Sequence, residues 1–295
     1  MKIVRIKGGL GNQMFQYAFA SKLKYLYPQE KILLDLTQFR GYKWHPYELK
    51  RVFDVDIPVA SFLELSKLSY PFSSNTRIGR LLNGLLSRVS NKEKFEYSEK
   101  SASFDKNALR NNGNCYYNGY WLSSQYFDDL RPQLLQSFSF KPVLSDNNSQ
   151  LKEYIGSCMS VSIHVRRGNY LLFDEYKDIC EKPYYANAIK YIRGNVNNPH
   201  FFIFSNDIQW CKENLMDLME NYTFVDNNNP LNNYVDLQLM SCCKHNVIAH
   251  STFSWWAAWL NQNPQKIVVA PRKWNNKYAE SEGPQMAEWV LLDNE

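Results

Sequence analysis

Two adjacent arginines, Arg166 and Arg167, follow the short apolar run 159–163 within the segment HVRRGN. The run is typical of a buried strand, so the arginines are expected in the loop at its carboxyl end. A guanidinium presents a planar set of donors that matches phosphate oxygens, and the pair is therefore predicted to bind a diphosphate. Because side chains alternate along a strand, His164 and Arg166 should share one side and Arg167 should lie on the other. A structural ion pair is the alternative, above all for Arg167.

Two further loops carry residues suited to anions. GGLGNQ (Gly8–Gln13) follows the first predicted strand and opens a helix, where glycines allow close approach and the helix N-terminus favours negative charge. A tight turn alone is one alternative. A dinucleotide site with Asp35 on the ribose is another, but Met14 stands where its third glycine belongs.

HSTFSWW (His250–Trp256) precedes a late helix, and its hydroxyl residues are natural N-caps. Capping accounts for one of them, and the backbone N–H groups of the turn are suited to a phosphate. The tryptophans are expected in the core.

Acidic residues give weaker signals. Asp236 lies on a helix that is predicted to begin near Asn232, and a lone helical aspartate is usually at the surface. Asp54-Val55-Asp56 matches the pattern by which some sugar transferases hold a metal, but its charged surroundings before Pro58 favour a solvated turn. The six cysteines show no metal-ligand spacing and are expected to be free thiols in a reducing cytosol, so no metal site is predicted.

Composition limits the class of protein. With 295 residues, of which 44% are hydrophobic, the chain can form one large or two medium domains, and no apolar run approaches the roughly 18 residues that span a bilayer. Residues 151–295 carry a net charge of −3 and the remainder carries +8. With a pI of about 8.7 and no basic stripe among aromatic residues, nucleic acid is not an expected partner.

Strands and helices alternate along the chain, which predicts an α/β protein with mostly parallel sheets and ligands at the carboxyl ends of the strands. The polar, proline-containing segment 140–150 is the best linker candidate, so we expect domains at 1–145 and 146–295. Strands are predicted at 2–7, 31–36, 115–121, 159–165, 200–205, 222–226, 245–249 and 266–270. Helices are predicted at 12–27, 123–138, 183–195, 207–220, 232–244 and 254–262.

The basic first half contains one strongly amphipathic segment. Residues 75–90 place six apolar side chains on one face of a helix, with arginines around its edges, although two glycines weaken the helix. We expect this stripe to pack into the core. The alternative is a helix that lies on an anionic membrane surface, where a lipid-linked acceptor would be found. The apolar positions are Ile78, Leu81, Leu82, Leu85, Leu86 and Val89.

Taken together, four segments resemble the bacterial α-1,2-fucosyltransferases of glycosyltransferase family 11. They are GGLGNQMFQYA (Gly8–Ala18), HVRRGNY (His164–Tyr170), Val235–Leu260 and VVAPRKW (Val268–Trp274). The resemblance implies a GT-B-like fold, in which two Rossmann-like domains face a cleft. It also implies GDP-fucose as donor, inversion at the anomeric carbon and no metal or other cofactor.

The resemblance assigns roles to individual positions. Arg166 matches the arginine that contacts the donor phosphates, and His164 and Asp236 match positions associated with guanine and ribose. The phosphate-binding turn corresponds to Thr252, Phe253 and Ser254, and the loop that faces the donor corresponds to Gly11 and Asn12. We expect Arg166 and Asn12 to be catalytic and the others, with Arg167, to bind donor. One departure is Asn169, where the family usually has an acid; an amide can also orient the loop.

The expected reaction moves L-fucose to the 2-hydroxyl of a terminal galactose on an oligosaccharide. His45, Glu48 and Asp35 are the candidates for a base or for acceptor binding in the first half. A fucosyltransferase of different linkage and a non-catalytic nucleotide-sugar or glycan-binding protein are the alternatives. The expected location is the cytoplasm, with a peripheral association with the inner face of the membrane left open.

Overall fold

A computed structural model describes residues 1–42, 45–277 and 283–293, without the side chain of Pro230. The chain divides into two compact units, Met1–Lys141 and Pro142–Glu295. The sequence places the boundary four residues later, at 145/146. Both units are α/β, and all of their paired strands run parallel. The α/β class with two Rossmann-like units is therefore confirmed.

The first unit contains a four-stranded sheet in the order β2-β1-β4-β3. The strand order reverses between β1 and β4, because β2 pairs with the far side of β1 and β3 with the far side of β4. The loops that follow β1 and β4 therefore lie side by side at the carboxyl edge of the sheet. The strands are β1 Lys2–Arg5, β2 Ile32–Asp35, β3 Glu96–Ser98 and β4 Cys115–Asn118. The helices are α1 Leu10–Leu26, α2 Leu49–Val52, α3 Phe62–Leu68, α4 Arg77–Val89 and α5 Arg131–Ser137.

The second unit contains a six-stranded sheet in the order β7-β6-β5-β8-β9-β10. Its strands are β5 Ser160–Val165, β6 His200–Ser205, β7 Tyr222–Val225, β8 His245–Val247, β9 Val268–Pro271 and β10 Val290–Leu292. Its helices are α6 Asp146–Ser157, α7 Lys182–Asn195, α8 Ile208–Leu215, α9 Tyr234–Cys242 and α10 Thr252–Leu260. This is the Rossmann strand order, in which ligands bind where the chain reverses direction, here between β5 and β8.

Burial accounts for these central strands. Every residue of β5 is buried, and its apolar side chains pack with those of α7 and β6 in one continuous core. A strand that is covered on both faces reads as a nearly uninterrupted apolar run, which is why the sequence predicts it well. Trp255, Trp256 and Trp259 of α10 are also buried, as expected.

Some elements differ from the sequence expectation. The predicted helix 123–138 is α-helical only in α5, after two short 3₁₀ turns, and Pro132 stands in the first turn of α5. The strands β3 and β10 and the helix α6 are not predicted, because they are short or polar.

The prediction that residues 75–90 pack into the core is wrong for most of the stripe. Ile78, Leu81, Leu85 and Val89 of α4 are exposed, and Gly79 is the buried residue of the helix.

Within the described residues, no helix is both long and apolar enough to span a membrane. All six cysteines lie within the ranges that the structure describes, and their thiols are free.

Candidate active site

Arg166 follows β5 directly and lies at the point where the strand order reverses. Its Nη2 donates to Asn169 Oδ1 at 2.9 Å, and its guanidinium lies 4.9 Å from the centre of the Tyr170 ring. The turn between them needs Gly168, which has φ +64° and no room for a Cβ beside Asn206. Asn169 therefore holds the guanidinium in place, which is an orienting contact that an amide makes as well as a carboxylate.

Arg167 is engaged elsewhere. Its Nη1 contacts both carboxylate oxygens of Glu181 at 2.6 and 2.8 Å, its Nε lies 3.6 Å from Asp207, and its guanidinium covers the Trp210 ring at 4.2 Å. These contacts use Nη1 and the face of the guanidinium within the protein, while the buried Nε has no hydrogen-bond partner among the described residues. The structure therefore favours the ion-pair alternative over the expected donor-binding role for Arg167.

Two buried histidines lie on adjacent strands beside Arg166. His164 is within β5, and His250 follows β8, the neighbouring strand. Burial, with the nearby Arg166 charge, lowers the pKa of His164 to about 3 and that of His250 to about 4, so both imidazoles are neutral at pH 7.

Each of these histidines keeps one ring nitrogen without a hydrogen-bond partner among the described residues. These atoms are Nδ1 of His164 and Nε2 of His250, while His250 Nδ1 lies 3.2 Å from Cys180 Sγ. Buried polar atoms are normally paired, so two unpaired nitrogens beside a cation indicate groups that bind a ligand.

The N-terminus of α10 follows His250. Ser251 occupies the N-cap without a side-chain capping bond, and the Ser254 hydroxyl contacts the Ala249 and Ser251 carbonyls. Ser254 thus contributes its backbone rather than its side chain to the turn. Phe253 packs against His164, with ring centres 5.7 Å apart. Thr252 to Ser254 therefore place the first turn of α10 next to the β5 loop, where the helix dipole favours an anion.

Asp236 lies in the first turn of α9, the helix that connects β7 to β8, and so at the same edge of the sheet. It is partly buried, and its Oδ1 accepts a hydrogen bond from Asn228 Nδ2 at 2.6 Å. Burial raises the pKa of Asp236 to about 6, and the Asn228 contact opposes the shift. A carboxylate held at a cost in desolvation is typical of a functional residue rather than of a surface aspartate.

At the corresponding edge of the first unit, the glycine loop packs on itself. Gly8 has φ +80°, and a Cβ there would lie 2.6 Å from Asn12 Nδ2. The His45 ring lies against Gly9, within 3.6 Å of the position that a Cβ would take. Gly11 is buried in the first turn of α1, behind these contacts.

Two buried glutamines that the sequence analysis missed hold this loop. Gln13 Nε2 donates to the carbonyls of Gly8 and Pro46, and its Oε1 accepts from the Glu48 N–H. Gln16 Oε1 accepts from the Lys7 N–H, and its Nε2 donates to the Gly119 carbonyl at 3.2 Å. In the sequence, each of them stands out as a polar residue in the middle of an otherwise apolar helix. A buried polar side chain in such a place needs hydrogen-bond partners, and here the backbone provides them.

Two of the expected base candidates have structural roles. Asp35 is buried, and its carboxylate accepts hydrogen bonds from the Thr37 N–H and hydroxyl and from the Tyr116 hydroxyl. These bonds occupy the carboxylate that a dinucleotide site would need for the ribose. Glu48 is buried and pairs with Arg51 at 2.9 Å. The side chain of His45, in contrast, lies against Gly9 of the loop.

A carboxylate missed in the sequence lies at the same edge. Glu99 follows β3, and its oxygens accept from the N–H groups of Tyr120 and Trp121 at 2.6 and 2.9 Å. Trp121 has φ +56°, a strained conformation that these bonds hold in place. Burial raises the pKa of Glu99, whereas the nearby Lys7 opposes that shift.

The Asp54-Val55-Asp56 segment is engaged with neighbouring side chains. Asp56 accepts from the Tyr17 hydroxyl at 3.0 Å and pairs with Lys24 at 2.7 Å. Within the described ranges, no cluster of three or more histidine, cysteine or acidic side chains is arranged as metal ligands.

The family described as glycosyl transferase family 11 matches residues 80–293, which include the whole β5/β8 edge. The chain belongs to glycosyl transferase family 11. It is therefore an enzyme that transfers a glycosyl group, which excludes the alternative of a dinucleotide site at the glycine loop.

Individual relatives extend this family match. The alpha-1,2-colitosyltransferase of Escherichia coli is 32% identical over 302 residues, which cover 99% of this chain and 98% of that protein. The bovine (Bos taurus) galactoside alpha-(1,2)-fucosyltransferase 2 is 29% identical over 156 residues, 48% of this chain and 44% of that protein. The long match to the first relative includes the glycine loop, which lies outside the range of the family model.

A solved structure shares the fold. The NodZ alpha-1,6-fucosyltransferase, whose crystals were soaked with GDP-fucose, matches with a TM-score of 0.53 at 12% identity. The alignment covers 91% of this chain and 94% of that one. At this identity the match concerns the fold, and it agrees with the GT-B-like class expected for a family 11 enzyme.

Proposed function

We propose that this protein transfers L-fucose from GDP-fucose to the 2-hydroxyl of a terminal galactose, with inversion and without a metal. The observation that carries the proposal is the arrangement of Arg166 and the N-terminus of α10 at the β5/β8 reversal. A cation and a helix N-terminus at one sheet edge form a site for a diphosphate leaving group.

The leaving group accounts for the residue types. As the bond from the anomeric carbon to the β-phosphate breaks, negative charge grows on the phosphate while positive charge develops on the sugar ring. Arg166, oriented by Asn169, and the N–H groups of the α10 turn then bind the phosphate oxygens. Donors fixed before the reaction contribute about 3 kcal/mol each to such a transition state. This replaces the charge that a metal would supply, so we expect no metal requirement.

The neutral histidines suit the same ligand. A neutral imidazole donates one N–H without adding a second cation beside Arg166. His164 and His250 each have a ring nitrogen available for the donor ribose or phosphates. Asp236 would accept from the N–H groups on the Watson–Crick edge of guanine, a contact that requires the ionised carboxylate.

The acceptor is assigned to the first unit, whose carboxyl edge carries Asn12, His45 and Glu99, all of them partly exposed. Galactose is uncharged and is best recognised by hydrogen bonds from amides and carboxylates. The 2-hydroxyl loses its proton late, when the anomeric carbon is already cationic, so a weak base suffices. His45 is the preferred candidate, because it lies against the glycine loop; Asn12 is proposed to orient the reacting groups.

Two names among the relatives support the linkage and leave the sugar to be tested. Both the Escherichia coli and the bovine protein are named as alpha-1,2 transferases, one of colitose and one of fucose. Colitose is the 3-deoxy counterpart of L-fucose, so colitosyl transfer is the second candidate function. Free cysteines and a nucleotide-sugar donor are both typical of an enzyme that works in the cytoplasm.

The decisive experiment measures GDP release and product linkage together. The purified protein is incubated with GDP-fucose or GDP-linked colitose and with lactose, N-acetyllactosamine or their β1,3-linked isomer. We expect GDP release only when a galactoside is present, and a product whose NMR spectrum shows an α-1,2 bond.

Other outcomes discriminate the alternatives. Another bond position would indicate a fucosyltransferase of different linkage, and faster turnover of the colitose donor would support the second candidate. Binding of GDP-fucose without turnover of any acceptor would indicate a non-catalytic binding protein and contradict the proposal.

A further inference from the structure

The helix α4 leaves an apolar face uncovered. Ile78 is 71% exposed, Leu81 65%, Leu85 49% and Val89 81%. At 100° per residue these four side chains fall within about 80° of arc on the helix surface. A contiguous exposed apolar face of this kind marks an interaction surface.

Contacts on the side of α4 opposite its apolar face fix the orientation of the helix. Gly79 is buried so closely against the Ser73 carbonyl that a Cβ would clash, and Asn83 exchanges hydrogen bonds with the Phe72 backbone. The Thr76 side chain caps the helix at the Gly79 N–H. These contacts attach one side of the helix to the first unit, so the uncovered face is a stable feature and not a frayed end.

The charged residues of α4 all have one sign. Arg77, Arg80 and Arg88 are exposed on α4, and Arg77 and Arg88 project beside Leu81 at the rim of the apolar face. From Leu65 to Lys92 the chain has five basic residues and no acidic residue. Arginine stems can lie along an apolar surface while their guanidinium groups reach a polar boundary.

We propose that α4 binds the surface of an anionic lipid bilayer, lying in its plane with Ile78, Leu81, Leu85 and Val89 inserted. The apolar face matches the acyl boundary, and the arginine rim matches anionic headgroups. A second copy of the chain is disfavoured as the occupant, because apposing two such helices would bring like charges together.

The neighbouring helix α3 extends the surface. Phe62 and Leu63 are 51% and 72% exposed, and the Phe62 ring packs on Phe72, whose backbone is bonded to Asn83 of α4. The two helices thus present apolar groups on connected parts of the first unit. Membrane binding through them is independent of the reaction proposed above and can fail or succeed separately from it.

The test is vesicle flotation of the full-length protein. Vesicles contain phosphatidylcholine alone or with 30 mol% phosphatidylglycerol, in 50 or 500 mM NaCl. We expect binding to the anionic vesicles at low salt, at least tenfold weaker binding at high salt, and little binding to phosphatidylcholine alone.

Matched variants separate the two contributions. Arg77→Gln/Arg80→Gln/Arg88→Gln should weaken binding about a hundredfold, and Ile78→Gln/Leu81→Gln at least tenfold. The controls are Lys50→Gln/Lys106→Gln/Arg110→Gln, which removes equal charge elsewhere on the first unit, and Val143→Gln/Met216→Gln, which replaces exposed apolar residues of the second. Both controls should bind as the unchanged protein does.

Three results would overturn the proposal. They are absence of binding at low salt, equal loss in the α4 variants and the controls, and self-association in sedimentation velocity that Ile78→Gln/Leu81→Gln abolishes without any vesicle binding. All substituted side chains are exposed, and an unchanged melting temperature shows that each variant is folded.

Discussion

Each of the two sheets has a place where its strand order reverses, but different side chains occupy the two places. At the β5/β8 edge, the cation Arg166 lies beside two buried neutral histidines and the N-terminus of α10. At the β1/β4 edge, buried amides and Glu99 hold strained backbone in place. The first edge is therefore the proposed donor site and the second the proposed acceptor site, and this assignment rests on their different side chains.

The largest expected effect comes from substitution of Arg166, the cation that distinguishes the β5/β8 edge from the β1/β4 edge. Arg166→Ala should lower kcat/KM at least a hundredfold, because it removes the guanidinium proposed to bind the β-phosphate, while the melting temperature stays unchanged. Arg166→Lys should restore little, since an ammonium lacks the planar fork. Steady-state kinetics and thermal denaturation check both results.

The adjacent arginine is the matched control. Arg167→Ala breaks the ion pair with Glu181 and the stacking on Trp210, so it should lower the melting temperature by several degrees. Near-full kcat in Arg166→Lys, or equal losses of activity and stability in both variants, would contradict the assignment of one arginine to phosphate and the other to the fold.

Asp236 should give the binding of the donor a pH dependence of its own. Its folded pKa is about 6, so the carboxylate protonates as the pH falls below 6 and the KM for GDP-fucose should rise about tenfold by pH 5. Asp236→Asn should raise this KM at pH 7 and remove its rise below pH 6, with kcat little changed. A donor KM that is unchanged in the variant would exclude Asp236 from the site.

The same substitution should make the protein more stable at neutral pH. A carboxyl whose folded pKa is raised costs stability above its unfolded pKa, and an uncharged amide avoids that cost, on the order of 3 kcal/mol. Asp236→Asn should therefore melt at a higher temperature at pH 7 and show no such advantage at pH 3. A lower melting temperature at pH 7 would argue for a purely structural carboxylate.

Gln16 tests the acceptor edge. Gln16→Leu leaves the Lys7 N–H and the Gly119 carbonyl without their buried partner, which should cost about 1–3 kcal/mol of stability. The KM for the galactoside should rise a few-fold, while the affinity for GDP in calorimetry stays the same. Gln29→Leu, at an exposed position, is the control, and a matching loss of GDP affinity in Gln16→Leu would remove the separation of the two edges.

The smallest effects are expected from metal removal. Activity should survive EDTA, and Asp54→Ala and Asp56→Ala should each change kcat/KM less than twofold, since Asp56 pairs with Lys24. Loss of activity in EDTA that Mn²⁺ or Mg²⁺ restores would show that the cationic phosphate site is incomplete by itself.

One edge is far easier to predict from the sequence than the other, for a physical reason. His164 lies near the end of a fully buried strand, Arg166 and the α10 turn follow such strands, and the apolar runs are enough to locate the edge of the sheet. Glu99 follows the three-residue strand β3, whose residues are partly exposed, so no pattern places it at an edge. Gln13 and Gln16 act on backbone atoms of Pro46 and Gly119, contacts that spacing along the chain does not reveal.

Helix α4 shows another limit of pattern analysis. Its apolar stripe predicts a buried face, because most amphipathic helices in folded proteins bury that face. The stripe is offset from the attached side, which the close contact at Gly79 defines. A periodic pattern shows which side of a helix is apolar, whereas tertiary contacts determine which side packs against the rest of the protein.

The tryptophans of α10 have an optical consequence. Trp255, Trp256 and Trp259 lie with ring centres 5.0 to 6.4 Å apart, and Trp289 lies 5.6 Å from Trp255. Indoles held this closely at fixed angles couple their electronic transitions, so the second unit should dominate the near-ultraviolet circular dichroism. In the first unit, Trp121 instead stacks on Phe19 at 4.2 Å. The near-ultraviolet signal should therefore follow the melting of the second unit, and the far-ultraviolet signal that of both units.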